Sequence, residues 1–377
     1  MKIVPYHDSD KHLWNRLVDE SDEAWLYHRT EWMDLVATLY PNESFMIISD
    51  DRQPLGVFCV YQSSRGTRRG FRQRFLSTGL GRSGPALAKG LDKKLRQAAM
   101  DFSLGYLKER AKAWKATYLE ARLPTLAPAY MPPLRTEVNP LLQYGFIASP
   151  RYGSTVGLSS LQGVETPTTI VDLQTSTEEQ LFAACSKACR NLVRKAIQSG
   201  VTCEQNNSVS GVEAFYKPYQ SSFRRSRSEM SPVSFFQEAH RSFGEMGSMR
   251  FFIASHSSKP ISSVLLLSYK DAVTYYAGGV DYNAHELSPH NLLIWESMRW
   301  ARNEGKKWYE MGPYFPYLPP QDKMARIGHF KREFGGRAFL LFEGLLLYDW
   351  RKYLLQALQE EVWNWGRTLF RSSGERS

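Results

Sequence analysis

Near the end of the chain, the stretch GHFKREFGG (Gly328 to Gly336) sets a lysine among phenylalanines and glycines, just after the loop GPYFPYLPPQDK. Lys331 in such company reads in two ways. It is an ammonium held in a partly apolar cleft, where its attraction for negative charge is strengthened, or a solvated lysine on a short helix. Phe330 and Phe334 are four apart and share one helical face. Lys331 lies about 100° round from Phe330, and Gly335 and Gly336 let the chain turn sharply after it. Candidate proton acceptors are Asp281, Glu296 and the imidazoles His285, His290 and His329, histidine being the side chain whose unperturbed charge change lies near neutrality. Asp281 equally starts a turn, and Glu296 equally pairs with Arg299 at i,i+3.

A second constellation is cationic. On a helix expected over 186–199, Lys187, Arg190 and Arg194 fall with Asn191 and Gln198 on one narrow sector. Leu181, Cys185, Ala188, Leu192, Val193 and Ala196 form the apolar stripe. Three cations without interleaved acids make a phosphate-sized attractor; a solvated face is the plainer reading. Arg224, Arg225 and Arg227 add positive charge further on. In TGLGRSGP, Gly79, Gly81 and Gly84 are spaced as G-x-G-x-x-G between an expected strand and an expected helix. The stretch lacks a parallel βαβ frame, so a dinucleotide site is rejected, leaving a phosphate-binding turn or a Gly-rich connector.

The elements that carry these residues come in two similar runs. In the first half, DKHLWNRLVDES and TEWMDLVATLY have helical spacing, the latter with Thr30 as expected N-cap. SFMIIS, LGVFCVYQ and FRQRFLST read as a strand meander. A long helix follows over PALAKGLDKKLRQAAMDFSLGYLKERAKAW, then the strand KATYLEAR and a proline-rich stretch from Pro124 to Pro140. SSLQGVETPT is the expected linker. The second half repeats the order: strand TTIVDL, a helix from EEQLF to Gly200, two more helices, and a meander of MRFFIAS, ISSVLLLSY and AVTYYAGG. The helix SPHNLLIWESMRWARNEG then takes Ser288 as N-cap, Pro289 at its first position and Gly305 beyond its end. KKWYEMG and AFLLFEGLLL are expected strands.

Composition bounds the class. The 377 residues are 42% hydrophobic and 13% aromatic, enough for folded cores and unlike a disordered chain. A net charge of +10 favours an anionic partner. Cys185 and Cys189 lie in an apolar helical pattern without a His-rich neighbour, so core thiols and no metal are expected. No apolar run of membrane-spanning length and no apolar leader are seen, which points to the cytoplasm. Two stretches bear on surfaces. The arginine-rich 63–75, interleaved with Phe71 and Phe75, suits RNA phosphates and bases, an anionic lipid, or a plain hairpin tip. The expected amphipathic helix 349–370, with Trp350, Trp363 and Trp365, packs on the body or lies at a membrane surface.

The repeated order of helices, three-strand meander, helix and strand resembles the GCN5-related N-acyltransferase (GNAT) fold. SKACRNLVRKAIQSGV, YYAGGVDYNAHELSPHNLLIWESMRWARNEGKKWYEMGP and FKREFGG resemble the Fem-like (FemAB) aminoacyl and acyl transferases, which carry two such domains. The resemblance implies an α/β (α+β) chain of two tandem GNAT-like domains, each a mixed, mostly antiparallel sheet flanked by helices. The expected bounds are 1–160, 161–348 and a C-terminal helix and tail at 349–377. It implies transfer of an acyl or aminoacyl group to an amine on a cell-envelope precursor or surface glycan. Alternatives are a CoA-dependent N-acyltransferase acting on an amino sugar and a non-catalytic RNA- or membrane-surface-binding protein. No tightly bound cofactor is expected; the donor is aminoacyl-tRNA or acyl-CoA. Partners are an anionic small-molecule or lipid-linked acceptor, tRNA, and the inner membrane face through 63–75 or 349–370.

In that frame Lys331 sits near the reacting carbonyl, with Asp281 and Glu296 as the other catalytic candidates. Lys187, Arg190, Arg194, Arg224, Tyr276, Ser288 and Phe330 are the expected substrate contacts. Gly79, Gly81 and Gly84 are the expected phosphate contacts. The pyrophosphate-turn pattern of acyl-CoA enzymes is missing from GGVDYNAHELSP, which counts against ordinary CoA binding in the second domain.

Overall fold

The structure, a computed structural model, describes residues 1–66, 72–148, 166–174, 177–226, 230–244, 246–355 and 358. The chain divides into two compact units, Met1–Thr166 with Leu341–Ser377, and Pro167–Leu340. The division differs from the expected bounds at one place that matters. AFLLFEGLLL is two strands, and the second belongs to the first unit.

In the first unit the elements run β1 (Lys2–Pro5), α1 (Lys11–Glu20), α2 (Thr30–Ala37), β2 (Phe45–Ile48), β3 (Pro54–Phe58), β4 (Tyr61–Gly66) and β5 (Arg72–Ser77). They continue with β6 (Ala86–Leu87), α3 (Lys93–Trp114), β7 (Tyr118–Arg122) and β8 (Ile147–Ala148). Two sheets form, β1-β2-β3-β6 and β4-β5-β7-β16-β8, where β16 is Glu343–Leu347. LGVFCVYQ is therefore not one strand: it divides at Cys59–Val60 between the two sheets. Thr30 is the first residue of α2 and Arg29 its cap, one position before the expected cap. The second sheet contains a parallel contact, β5 with β7, held only at Leu76↔Leu119 and Ser77↔Glu120. The chain turns helical again at 350–355, where Tyr353 is buried edge-on to Tyr118 while Trp350 and Leu355 are exposed. The rest of the expected terminal helix, the 67–71 tip of the basic hairpin, Arg227 and most of the expected linker lie outside the described residues.

The second unit runs β9 (Pro167–Asp172), α4 (Glu178–Ala184), α5 (Lys187–Gln198), β10 (Thr202–Gln205), α6 (Val209–Ser226), α7 (Val233–Phe243), β11 (Met249–His256), β12 (Lys259–Tyr269) and β13 (Ala272–Val280). It closes with α8 (Pro289–Asn303), β14 (Trp308–Pro313), α9 (Lys323–Arg332) and β15 (Arg337–Leu340). Its one sheet has the order β10-β11-β12-β13-β14-β9-β15. The antiparallel meander β11-β12-β13 meets β14 in parallel. A parallel neighbour needs a crossover, and α8 supplies it. Its buried residues Leu292, Leu293, Ile294 and Met298 join Val264, Leu266, Val273 and Tyr309 of the sheet in one core. Each such side chain contributes about 1.5–3 kcal/mol by leaving water, which fixes helix against sheet and so fixes the strand ends between them.

The parallel pair β13–β14 is held only at Ala272↔Trp308, Val273↔Tyr309 and Thr274↔Glu310. Beyond Thr274 the two strands part. At the same level β13 bulges against β12: Leu266 faces Tyr275 and Leu265 faces Ala277, so Tyr276 is the extra residue. A bulge re-aims side chains and ends pairing. The mouth between the parted strands is where the second unit gathers its polar groups.

Candidate active site

Lys331 is on the last turn of α9, and its ammonium reaches back to that mouth. Its Nζ donates to the carbonyl of Pro313 at 3.2 Å. Gly312 makes the approach feasible. Its φ is +92°, and a Cβ there would come 2.9 Å from Lys331 Nζ. An L-residue would be strained in this conformation and would crowd the ammonium. The strand irregularity between Glu310 and Gly312 lies just before Pro313, whose carbonyl takes the ammonium.

The glycines after the lysine also have a packing reason. Gly335 has φ +84°, and a Cβ there would lie 2.7 Å from the Ala184 carbonyl at the end of α4. The backbone N–H of Ser186 donates to the Glu333 carbonyl at 2.7 Å, tying the same turn to the start of α5. Phe334 is fully buried, and Phe330 meets it edge-on at 5.4 Å. Phe330 also stacks on His290 at 5.8 Å. Of the two readings of GHFKREFGG, the structure draws a helix whose phenylalanines are anchored inward and whose lysine lies along strand β14.

Glu310 was not among the expected residues. It is buried at the point where the strands part, and both its oxygens accept hydroxyls: Thr168 to Oε1 and Thr274 to Oε2, each at 2.9 Å. The three residues come from β9, β13 and β14, so the carboxyl group locks the apex of the mouth from three strands. Its signal in sequence was a lone acid inside the apolar strand KKWYEMG, where burial demands partners.

His290, at the second position of α8, joins the same cluster. Its Nδ1 is 2.8 Å from Ser262 Oγ and its Nε2 is 3.2 Å from the Tyr275 hydroxyl. Burial pushes its pKa down to about 4, and the nearby His285 pushes in the same direction. Burial also raises the Tyr275 phenol above its ordinary value.

Several expected site residues are used otherwise. Asp281 is held by Lys259 at 3.1 Å, and its other oxygen accepts the Asn283 N–H at 3.1 Å. The lysine bond keeps its pKa below the usual value. A carboxylate so stabilised is a poor proton acceptor at neutral pH, and its role is to start the 3₁₀ turn Tyr282–Leu287. Glu296 binds Arg299 at 2.9 Å, and Arg299 also binds Glu178 at 2.7 Å. That network fastens α8 to α4, so the acid belongs to helix packing rather than to the mouth. Ser288 precedes α8 as expected but with φ +54°, and its side chain makes no capping bond. Tyr276 is the bulged residue at the mouth, half-buried.

The basic sector is also partly engaged. The expected long helix breaks at Cys185–Ser186, with Ser186 Oγ capping Cys189 N at 3.0 Å. Leu181, Cys185, Val193 and Ala196 are buried as expected, Leu192 is half-buried, and Cys189 is buried in place of the exposed Ala188. Arg190 donates to the Ala183 carbonyl at 2.8 Å and to the Cys185 carbonyl, capping the end of α4. Arg194 lies over the Phe182 ring at 5.3 Å. Lys187 and Arg224 are exposed, and Arg225, beside Arg224, stacks on Tyr282 at 3.9 Å.

In the first unit Gly79, Gly81 and Gly84 are filled from within. Cβ atoms there would meet the Tyr61 ring at 2.8 Å, the Tyr27 ring at 2.5 Å and Leu123 Cδ2 at 2.8 Å. Strand β6 follows the turn, and α3 begins only at Lys93, where the Asp92 carboxylate already accepts Leu95 N at 2.8 Å. The helix end that would face a phosphate thus carries its own anion. These glycines serve close packing. Among the described residues no group of His, Cys, Asp and Glu could hold a metal, and no helix is long and apolar enough to cross a membrane.

A sheet that parts beside a bulge, with a crossover helix packed on it, is the GNAT architecture, and the chain resembles FemX in fold over both units. Residues 183–322 match the acetyltransferase (GNAT) domain family. Over 124 residues the chain is 26% identical to the UDP-N-acetylmuramoylpentapeptide-lysine N(6)-alanyltransferase of Weissella viridescens. That stretch is 33% of this chain and 36% of the relative, so the match spans about a third of the relative's length. The solved structure of FemX superposes with a TM-score of 0.69 at 14% identity, covering 94% of this chain and 99% of FemX. The C-terminal domain of a putative lysylphosphatidylglycerol synthetase from Agrobacterium fabrum gives 0.53 at 11% identity, covering 89% and 91%. At such identities the two structures speak for the fold.

Proposed function

We propose that the chain is an N-acyltransferase that moves an aminoacyl group from an aminoacyl ester to an amine on a cell-envelope precursor or surface glycan. The observation that carries the reading is the Lys331 ammonium pinned at the mouth of the parted strands by the Pro313 carbonyl. When an amine attacks an ester carbonyl, negative charge develops on the carbonyl oxygen. A preorganised cation at that point stabilises the transition state more than the ground state. Phe330 and Phe334 keep water from one side and strengthen the attraction. The C–N bond forms, the ester C–O bond breaks, and the leaving alkoxide oxygen takes the proton that the amine gives up, departing as a hydroxyl.

The choice of an aminoacyl-tRNA over acyl-CoA rests on the approach to α8. A 3₁₀ turn, a left-handed Ser288 and Pro289 stand there. Proline supplies no N–H, so that end offers fewer backbone donors to a pyrophosphate than a glycine turn would. The acceptor class rests on the alanyltransferase relative. The test is a transfer assay with the full chain, UDP-N-acetylmuramoylpentapeptide as acceptor, and either alanyl-tRNA or acetyl-CoA as donor. Mass gain on the acceptor amine from alanyl-tRNA alone is expected. Transfer from acetyl-CoA alone would overturn the donor assignment. Absence of transfer from either, with a loaded tRNA pool also inactive, would overturn the activity.

A further inference from the structure

From the hydrogen-bond chain Gly279–Ser262–His290–Tyr275, we infer that the phenolic oxygen of Tyr275 is the acceptor that receives the substrate amine, and that His290 is the residue that positions it. The inference rests on the amine-transfer reading above and names which side chain meets the amine.

Ser262 Oγ lies 3.1 Å from the Gly279 carbonyl and 2.8 Å from His290 Nδ1. His290 Nε2 lies 3.2 Å from the Tyr275 hydroxyl. A neutral imidazole carries one N–H, on either nitrogen. Suppose it is on Nδ1. The serine then donates to the carbonyl, Nδ1–H donates to the serine oxygen, and the tyrosine donates to the bare Nε2. Every hydrogen in the chain has an acceptor. Suppose instead it is on Nε2. The serine must then donate to Nδ1, the Gly279 carbonyl loses this hydroxyl, and the tyrosine hydrogen is left without an acceptor in the chain. The Nδ1–H form alone keeps every bond of the chain, including the serine hydroxyl on the buried Gly279 carbonyl, so it is the form the site favours.

The consequence is chemical. The tyrosine's only hydrogen is turned toward His290, so its oxygen shows lone pairs to the mouth and nothing it can donate. It accepts from an N–H and offers nothing to a carbonyl oxygen, which is left to Lys331. Topology puts the two at one mouth: Tyr275 is the first residue of β13 beyond the last paired position, and Lys331 closes on Gly312–Pro313 of β14. Two local features support the placement. A Cβ at Gly278 would fall on the Tyr275 hydroxyl, so the glycine leaves room for it. Phe330 stacks on the His290 ring and holds its plane.

The test has a part that needs no turnover. In the full chain labelled with ¹⁵N-histidine, the His290 resonances at neutral pH should report a protonated Nδ1 and a bare Nε2. Tyr275→Phe should move the Nε2 resonance and Ser262→Ala the Nδ1 resonance. A protonated Nε2 overturns the inference whatever the enzyme's activity. In the transfer assay, Tyr275→Phe and His290→Phe should raise the acceptor's KM about three- to tenfold, the scale of one hydrogen bond, with the donor's KM unchanged. His290→Gln, whose side-chain oxygen can accept from the tyrosine, should restore the acceptor's KM. An unchanged acceptor KM in Tyr275→Phe, with the fold intact by melting, overturns the amine contact. Loss of both KM values together makes the chain of bonds structural only.

Discussion

The two units each contain a short parallel strand contact that opens into a mouth, and they fill it differently. In the first unit, β5 and β7 part after Ser77 and Glu120, and the space is closed by the protein itself. Tyr61 and Tyr27 pack on the glycine turn, Asp92 occupies the end of α3, and Glu120 and Arg122 form an ion pair at 2.6 Å. In the second unit, β13 and β14 part after Thr274 and Glu310, and the groups gathered there are a lysine, a tyrosine and a neutral histidine. One architecture closes on itself in the first unit and, in the proposed function, holds the site in the second. Charges in the first mouth satisfy each other, as Glu120 and Arg122 do; in the second, the Lys331 ammonium donates to the Pro313 carbonyl.

The comparison breaks most visibly with Lys331→Met, which keeps the stem and removes the charge. Turnover should fall by roughly 10²–10³, the scale of losing one oxyanion donor, with the melting temperature nearly unchanged. The matching change in the first unit, Arg122→Met, should leave kcat within about twofold of the wild type while lowering stability, because it strands Glu120. A similar loss of turnover from both variants would erase the distinction between scaffold and site.

Stability against pH sharpens it further. His290 has a folded pKa depressed to about 4 from an ordinary 6.5. Between those values the unfolded chain binds the proton and the native chain does not. Stability is therefore full above about pH 6.5 and falls as the pH drops toward 4, by up to about 3 kcal/mol from this group. His290→Gln should flatten that part of the profile in urea titrations. An unchanged slope would mean that His290 is solvated. Glu343 of the first unit behaves oppositely. Burial raises its pKa, so the native chain holds the proton longer and stability falls as pH rises past the ordinary carboxyl value. Its Oε1 has no hydrogen-bond partner. Glu343→Gln should thus raise the melting temperature modestly at neutral pH, the smallest effect expected here; a lower melting temperature would show that its charge is used.

What could be read in the sequence follows the range of the interactions. GHFKREFGG was legible as helix and turn because its signals are local: phenylalanines four apart and glycines at the end. The end of α8 was legible for the same reason, since Gly305 takes φ +71° just past it. Glu310 was not, because its partners Thr168 and Thr274 are 142 and 36 residues away. AFLLFEGLLL looked like one strand because no glycine or proline stands at Leu341–Phe342, where it divides; β15 and β16 part company because each pairs with a different distant strand, β9 and β7. The basic sector of α5 was drawn on a helix alone, and a helix alone does not show that Arg190 would cap the carbonyls of α4. The break at Cys185–Ser186 did have a signal, a serine three residues before Cys189 in capping position. Asp281 and Glu296 had the right chemistry for a base; what removed them was a cation each, Lys259 and Arg299.

In the proposed function the mouth in the second unit, and not its counterpart in the first, takes the acyl donor. Hydrogen exchange tests this directly, using the full chain with and without alanyl-tRNA whose ester is replaced by a stable amide. Slowed exchange is expected in residues 274–280 and 310–314, and unchanged exchange in residues 77–84 and 118–122. Protection of the first-unit segments, with the second-unit segments unaffected, would contradict it.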